Sequence, residues 1–290
     1  MKILVAGATS VLGRHVARIL TGRGHAVTAL GRDAGRLASL GPIVATTTLA
    51  DARRANSLVG ALADHDAVFS CLGASVAMRP GAGWRGYRAI DTPANLNLLA
   101  EAKKAGAKRF VYVAVHQVPG AERTAYIDAH ERVAQAALAS GLDVVIMRPP
   151  AFFSALGMFV AMAKKGKVPV VGDGRSTSNP IDDRDLATAC AEAVESGGAR
   201  EWPIGGPEVV TRLEIARLAC EAAGVAPRYR FVPPGLIRVA SVLATPVSPR
   251  MGQFMRFVVH ATTVDVVAPA FGTHRLGDYF KDVASRSSRS

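Results

Sequence analysis

The amino-acid sequence predicts an α/β protein with a doubly wound parallel sheet and a smaller, mainly helical C-terminal region. Short apolar runs alternate with amphipathic stretches over residues 1–150, a glycine-containing turn joins the first run to a helix, and helical stretches predominate after Pro149-Pro150. Strands that alternate with helices form right-handed βαβ units whose helices cover both faces of a parallel sheet. We expect a sheet domain at 1–150, a C-terminal region at 151–283 that would cover the carboxyl edges of the strands, and a frayed tail at 284–290.

Six strands are expected in the first domain, and each reads as a continuous apolar run, as burial on both faces requires. They are Lys2–Ala6, Ala26–Leu30, Ile43–Thr47, Ala67–Cys71, Arg109–Val115 and Asp143–Arg148. The clearest helices between them are Ala94–Ala105 and Ala129–Ser140, where small and apolar residues recur at helical spacing. In the C-terminal region we expect helices at Asp183–Glu195, Thr211–Ala223 and Gly235–Ala244 and short strands at Val168–Val171 and Arg228–Val232.

Composition excludes several classes of protein. The three cysteines, Cys71, Cys190 and Cys220, are odd in number and widely spaced, which excludes a disulfide framework and a clustered metal site. The start of the chain lacks the pattern of a secretory signal, and the longest apolar stretch, 151–163, is too short to span a membrane. These features predict a soluble, cytoplasmic protein with no bound metal and no membrane partner.

The formal net charge of +12 raises the question of nucleic-acid binding. The basic residues are scattered, however, and occur at most as short pairs such as Arg53-Arg54 and Lys164-Lys165. No zinc-finger spacing or RNA-binding motif accompanies them. We therefore expect a small-molecule partner rather than nucleic acid, and a monomer or homodimer.

The turn after the first strand has the pattern of a phosphate-binding loop. It runs from Gly7 to Gly13 as Gly-Ala-Thr-Ser-Val-Leu-Gly and opens an apolar helix. Backbone N–H groups of such a turn, here at Thr9, Ser10, Val11 and Leu12, and the helix N-terminus favour a pyrophosphate. Ser10 replaces the middle glycine of the usual spacing, and its hydroxyl is a further candidate donor to a phosphate. A plain structural turn is the alternative, but the strand–turn–helix context favours dinucleotide binding.

Residues at the end of the second strand indicate which dinucleotide binds. A carboxylate there holds the ribose 2′-hydroxyl of NAD, whereas arginine accepts the 2′-phosphate of NADP. The chain has Arg32 at this point and Arg36 one helical turn later. Their planar guanidinium groups suit phosphate oxygens, so the sequence predicts NADP (NADPH). The alternative is that both are ordinary solvated arginines.

Taken together, these residues resemble the short-chain dehydrogenase/reductase superfamily, specifically its atypical branch of NmrA-like and NAD(P)H-binding reductase-like proteins. Besides the glycine turn, the resemblance rests on four segments that extend over most of the chain: Phe69–Gly73, Lys108–Val113, Arg148–Phe153 and Asn179–Ala187. It implies a Rossmann-type sheet followed by a substrate-binding region interleaved with the last Rossmann elements.

The same resemblance implies further cofactor contacts. Cys71, Leu72 and Gly73 would line the adenosine and ribose side, with Cys71 as a small buried residue rather than a nucleophile. Thr48 stands where many relatives have an aspartate that meets the adenine, so Leu49 would serve instead. The nicotinamide side would be lined by Ala114, Pro149, Ala151 and Phe152.

The catalytic residues of the superfamily are only partly present. Relatives with the full mechanism use Tyr-x-x-x-Lys and a serine at the end of the fifth strand; here Tyr126 is followed by His130, and Ala114 occupies the serine position. His130 would bind the cofactor ribose and tune Tyr126, and its positive charge would need a neighbour such as Glu131 to raise its pKa. His116, just past the fifth strand, is a second candidate proton donor. Tyr126 and His116 also have ordinary interpretations, as a solvent-facing helix residue and a surface loop residue.

The resemblance implies an NADPH-dependent oxidoreductase that transfers a hydride to a carbonyl or an activated double bond of a small hydrophobic molecule. The phenylalanine-containing run 151–159 either walls an apolar pocket for an aromatic or polyketide-like substrate or packs a helix. Two alternatives stay open: an NmrA-like dinucleotide-binding sensor or regulator without turnover, and an epimerase or dehydratase with no net redox change.

Overall fold

The computed structural model describes residues 1–73, 86–198 and 200–286. Its centre is a seven-stranded parallel sheet in the order β3-β2-β1-β4-β5-β6-β9. The strands are β1 (Lys2–Ala6), β2 (Ala26–Gly31), β3 (Thr46–Leu49), β4 (Ala67–Ser70), β5 (Arg109–Val113), β6 (Asp143–Arg148) and β9 (Glu201–Pro203). This arrangement confirms the predicted doubly wound parallel sheet.

Helices cover both faces of the sheet. They are α1 (Val11–Gly22), α2 (Ala34–Ala38), α3 (Tyr87–Lys104), α4 (Ala125–Leu138) and α7 (Asp183–Ser196). Because successive strand residues point to opposite faces, Ile3 and Val5 pack under α1 and α7, whereas Leu4 and Tyr112 pack under α3 and α4. Tyr112 therefore shares its side of the sheet with α4.

The C-terminal region is built from shorter elements around two small apolar cores. It contains α5 (Phe153–Leu156), α6 (Met158–Lys164), β7 (Val168–Val171), β8 (Thr177–Ser178), β10 (Val210–Thr211), α8 (Arg212–Ala222), β11 (Tyr229–Val232), α9 (Pro234–Ala244), α10 (Pro249–Thr263) and α11 (Leu276–Arg286). β7 pairs with β11 in parallel, and β8 pairs with β10 antiparallel. None of the helices in the described ranges is long and apolar enough to cross a membrane.

Several boundaries differ from the expected ones. The third strand begins at Thr46 rather than Ile43, because Gly41–Ile43 forms a 3₁₀ turn before it. β9, α10 and α11 were not predicted; β9 is only three residues long and ends in proline, so it lacks a strand pattern. α11 extends to Arg286, into the tail expected to fray at 284–290, and residues 287–290 of that tail lie outside the described residues.

The strand order places one crevice at the centre of the sheet. β1 lies between β2 and β4, with Ala6 opposite both Leu30 and Ser70. The chain leaves β1 toward β2, while β4 returns on the other side, so the segments after β1 and β4 diverge at their carboxyl ends. Open α/β sheets bind ligands at such a switch point.

Candidate functional site

The turn after β1 is a tight cradle that only glycine fits at two positions. Gly7 has φ +95°, a left-handed conformation that disfavours residues with a Cβ, and a Cβ there would lie 2.8 Å from Cys71 Sγ. A Cβ on Gly13 would lie 2.2 Å from the carbonyl oxygen of Gly7. The first turn of α1 is therefore packed directly against the backbone of the loop.

The N-terminus of α1 faces this crevice with free donors. Ser10 caps the helix: its Oγ accepts the Gly13 N–H at 3.0 Å and lies 3.5 Å from Cys71 Sγ. The N–H groups of Val11 and Leu12 belong to the first turn, where no intrahelical acceptor exists. They are the groups that a helix N-terminus offers to a phosphate.

The two arginines predicted to select the cofactor lie at the end of β2. Arg32 is exposed immediately after the strand, and Asp33 caps α2 by accepting the Arg36 N–H at 2.9 Å. Arg36 Nη2 donates to the carbonyl oxygen of Thr9 at 3.2 Å, which ties α2 to the loop. At the end of β3, the Leu49 side chain is 63% exposed beside this edge. The crevice is thus bordered on the β2–β3 side by Arg32, Arg36 and Leu49.

Cys71 begins the other wall of the crevice, after β4. Its Sγ lies 3.7 Å from the carbonyl oxygens of both Ala6 and Gly7, and burial raises the pKa of its thiol to about 11. A protonated thiol of this kind is a poor nucleophile, which agrees with the structural interpretation of Cys71.

Leu72 and Gly73 continue this wall and are held by a residue that sequence reasoning missed. Asn95 of α3 is fully buried; its Nδ2 donates to the Leu72 carbonyl at 3.1 Å, and its Oδ1 accepts from Ser70 Oγ at 2.6 Å. A Cβ on Gly73 would lie 3.8 Å from Cε1 of His130, so the wall reaches α4. The only signal that the sequence offered for Asn95 was an asparagine at the start of the predicted helix Ala94–Ala105.

His130 is the most constrained polar side chain of the site. It is buried, and its Nδ1 lies 2.7 Å from the Tyr112 hydroxyl. Burial raises the pKa of Tyr112 well above its usual value, so this phenol is protonated, and its hydrogen bond to Nδ1 orients the imidazole ring. The other ring nitrogen, Nε2, is buried and has no hydrogen-bond partner among the described residues. The bond to Tyr112 therefore leaves His130 with an unpaired ring nitrogen, Nε2, beside Gly73.

Glu131 does not raise the pKa of His130, so the condition under which His130 would carry a positive charge is not met. Glu131 is bonded instead to Arg148, whose Nη2 lies 3.1 Å from its carboxylate, and also accepts from Gln117 and Gln135. Burial, with a smaller contribution from the charge of Arg148, lowers the pKa of His130 to about 4. His130 is therefore neutral near pH 7 and acts as a hydrogen-bonding group, not as a cation.

This pKa predicts a specific pH dependence of stability. Between about pH 6.5, where histidine titrates in an unfolded chain, and about pH 4, the unfolded chain binds a proton at His130 that the folded chain does not. The contribution of His130 to the free energy of unfolding is therefore fully present above about pH 6.5 and is lost as the pH falls toward about 4. We expect the His130→Asn variant to lose less unfolding free energy than the parent between about pH 7 and 5, by on the order of 2 kcal/mol.

Urea titrations at several pH values measure this difference. The pKa values of His15, His116 and His260 are also lowered, mainly by burial, but these residues remain in the variant and cancel in the comparison. Parallel stability curves for parent and variant would contradict the assignment.

Tyr126 is partly buried, with its ring packed among other rings. Its ring contacts the rings of Tyr87, His130 and Phe257, with centroids 4.9, 4.8 and 4.5 Å away. Burial, followed by the charge of Asp91, raises the pKa of Tyr126. The phenol is thus a weak acid that stays protonated. Phe257 lies on α10, a helix that was not predicted although apolar residues recur in it at helical spacing, from Met251 through Phe254 and Met255 to Val258 and Val259.

His116 lies three residues after the end of β5. Its N–H donates to the Pro149 carbonyl at 3.0 Å, its Nδ1 is buried without a partner among the described residues, and it shares a hydrogen bond with the backbone of Val267. Burial lowers the pKa of His116, so it too is neutral near pH 7. Ala114, the first residue after β5, is buried and donates its N–H to the Met147 carbonyl. Whether these residues meet a cofactor stays a prediction.

The segment after β6 runs along the edge of the site and then enters the C-terminal region. Ala151 and Phe152 continue the strand direction and bridge to Ile181, with the Ile181 N–H on the Ala151 carbonyl at 2.9 Å. Phe152 packs against the core under α1 and α7, whereas Phe153 is buried in the C-terminal core with Phe280. Phe153 is therefore a packing residue, not part of a pocket wall.

Asn179 and the acidic residues after it join the two regions. The buried Asn179 amide donates to the carbonyls of Gly206 and Ala268 at 3.1 and 2.7 Å and accepts the Ala268 N–H at 2.9 Å. Asp183 holds Ser154, and Asp185 accepts the N–H groups of residues 273 and 274. These contacts position the C-terminal region over the sheet edge.

Comparisons with known proteins agree with this geometry. A family model described as NAD(P)H-binding matches residues 7–197, from the glycine turn to just past α7. The chain is 34% identical over 248 residues to the chloroplastic divinyl chlorophyllide a 8-vinyl-reductase of Oryza sativa subsp. indica, covering 80% of this chain and 61% of that protein. The chain therefore spans less than two-thirds of the length of this relative.

Two further similarities extend the comparison. The chain is 27% identical over 237 residues to the NAD(P)H azoreductase of Xenophilus azovorans, covering 78% of this chain and 76% of that protein. Among solved structures, a UDP-glucose 4-epimerase of Thermotoga maritima with UDP-glucose has a TM-score of 0.74 at 17% identity, with 100% of both chains covered. At this identity the likeness shows the fold alone.

Proposed function

Because the chain belongs to the NAD(P)H-binding family, in the atypical branch of the short-chain dehydrogenase/reductase superfamily, we propose that it is an NADPH-dependent oxidoreductase. Its substrate is a small hydrophobic molecule with a carbonyl or an activated double bond. Two relatives are named for reductions, of a vinyl group and of an azo compound, which favours a double bond as the acceptor. The cytoplasmic location and the monomeric or homodimeric state stay predictions.

The residues of the crevice fit such a cofactor. A Cβ at Gly7 or Gly13 would collide with the backbone or with Cys71, so the loop keeps this conformation only with glycine at both positions. This loop and the first N–H groups of α1 would hold the pyrophosphate, and Arg32 with Arg36 the 2′-phosphate. The segments after β3, β4 and β6 would line the rest. When bound, the cofactor supplies a hydride from its nicotinamide.

The observation that supports a reductase best is the buried Nε2 of His130, which has no partner among the described residues and whose ring Tyr112 orients. Buried polar atoms are rarely left unpaired, so this one indicates a polar ligand group, either a cofactor ribose hydroxyl or a substrate group. His130 and His116 are neutral and Tyr126 is a weak acid, so the described site lacks a strong proton donor. This favours an acceptor whose reduced form needs no strong acid, such as a conjugated double bond.

Arg32→Ala tests the cofactor preference. We expect the dissociation constant for NADPH to rise about 10- to 100-fold, because charge-assisted hydrogen bonds to the 2′-phosphate are lost, while that for NADH stays nearly the same. Fluorescence titration of the reduced nucleotides measures both constants. Arg175→Ala, which removes an exposed arginine from the C-terminal region, is the matched control and leaves both constants unchanged. Tighter binding of NADH than of NADPH by the parent would refute the role of Arg32.

Turnover is tested by following the near-ultraviolet absorbance of NADPH with a panel of aromatic and polyketide-like ketones and conjugated alkenes. Oxidation that matches product formation is the expected result. Full activity in Tyr126→Phe would remove Tyr126 as the proton donor and make His116→Ala the next test. Tight NADPH binding without oxidation across the panel would favour a regulator. Conversion of a substrate without net oxidation of NADPH would favour an epimerase or dehydratase.

A further inference from the structure

The outer face of helix α9 is an apolar surface that the described part of the chain leaves exposed. Leu236, Val239, Val242, Leu243 and Val247 have exposed fractions of 63, 61, 56, 72 and 85%. Their spacing places them along one side of α9 and its continuation, and we call them the apolar stripe. The opposite side, where Ser241 is buried, packs against α10. A helix that is apolar on both sides normally has a partner on each.

The chain segment that carries the apolar stripe is purely basic. Residues 222–264 contain no Asp or Glu but five arginines. Arg250 is buried, with its guanidinium over the Tyr87 ring at 5.7 Å. The other four, Arg228, Arg230, Arg238 and Arg256, are exposed, and none forms an ion pair within the part of the chain that the structure describes.

We propose that the apolar stripe and its flanking arginines dock the protein on an anionic lipid surface. An amphipathic helix with apolar residues on one side and arginines beside it lies in a membrane interface, where the apolar side chains enter the headgroup boundary and the cations meet anionic lipids. The association is peripheral and needs no membrane-spanning helix.

The charge pattern disfavours a second copy of this chain as the occupant. Two apolar stripes facing each other would bring eight exposed arginines together with no carboxylate from residues 222–264 between them. A nucleic acid would use the arginines but leave the five apolar side chains without a partner. An anionic lipid surface satisfies both sets.

The geometry also relates the apolar stripe to the candidate site. α10 packs against α9 on one side and contributes Phe257 to the ring of Tyr126 on the other. Docking through α9 therefore places the candidate site one helix away from the lipid. The docking itself does not depend on the proposed reaction, because it requires neither cofactor nor turnover.

Co-sedimentation of the full-length chain with vesicles tests the proposal. We expect binding to vesicles of phosphatidylcholine mixed with phosphatidylglycerol, weak binding to phosphatidylcholine alone, and release by salt. Leu236→Gln with Leu243→Gln should weaken binding about tenfold or more by removing apolar insertion. Arg230→Gln with Arg238→Gln should weaken it by about fivefold per arginine and reduce the salt dependence.

Matched controls exclude general effects of substitution. Val59→Gln replaces an apolar residue of the sheet domain that is 65% exposed, and Arg175→Gln removes an exposed arginine elsewhere. Both should bind vesicles like the parent, and circular dichroism verifies the fold of every variant. Absence of vesicle binding, equal binding to neutral and anionic vesicles, or unchanged binding of the leucine variant would overturn the proposal. A concentration-dependent dimer that the leucine variant abolishes, without vesicle binding, would assign the surface to self-association.

Discussion

Replacing Gly13 with alanine is expected to abolish NADPH binding and to lower the free energy of unfolding by about 3 kcal/mol or more. The new Cβ would lie 2.2 Å from the Gly7 carbonyl oxygen and 2.9 Å from Ala8 Cα, so either α1 or the loop must move. Neither can yield by a side-chain rotation, because the contacts are to backbone. Movement of α1 displaces the N–H groups of Val11 and Leu12 from the crevice.

Gly22→Ala provides the matched control in the same helix. Gly22 is the last residue of α1, and a Cβ there would meet nothing within 4 Å. The substitution should leave NADPH binding unchanged and keep or raise stability by up to about 1 kcal/mol. Urea unfolding followed by circular dichroism and nucleotide fluorescence measure both effects. Equal behaviour of the two variants would show that the close approach of α1 to the loop is not required.

Replacing Arg148 with methionine is expected to destabilise the fold by about 3–5 kcal/mol, because it leaves the Glu131 carboxylate buried without its cation. Arg148 is buried at the end of β6, where its guanidinium also bonds Glu201 of β9 at 2.7 Å and the Val115 carbonyl at 3.3 Å. One side chain thus joins β6, β9, α4 and the end of β5. Chemical unfolding measures the loss.

The matched control is Arg132→Met on α4. Arg132 pairs with Asp128 at 2.7 Å on the exposed side of the helix, and loss of such a pair costs at most about 1 kcal/mol. Adding Glu131→Gln to Arg148→Met should recover part of the stability, because no unpaired charge then remains buried. Similar losses for Arg132 and Arg148, or no recovery in the double variant, would argue against a buried ion pair.

Local patterns sufficed for much of the fold. β1, β6 and β7 have the bounds that their apolar runs predicted, and the glycine turn lies between β1 and α1 as expected. Among the elements that were missed, α10 and α11 do carry apolar residues at helical spacing, whereas β9 lacks a strand pattern. β9 is short, and its place beside β6 depends on pairing with residues far away in the chain.

The candidate site was predicted less completely, because its chemistry depends on contacts between distant residues. His130, Tyr126 and Gly73 were named, and the structure brings them together. Tyr112 was not named, since nothing in a buried β-strand distinguishes a tyrosine that orients a histidine from one that fills the core. Phe257 was missed for a similar reason.

The sequence by itself determined the strand–turn–helix unit and the alternation that produces a parallel sheet, because glycine spacing and apolar periodicity act within a few residues. Only the tertiary structure decided the state of His130. Its chain neighbour Glu131 pairs with Arg148 of β6, while the hydroxyl of Tyr112 on β5 is hydrogen-bonded to His130 Nδ1. Burial and charge are set by residues that folding brings together, so the protonation of a site histidine cannot be inferred from its neighbours along the chain.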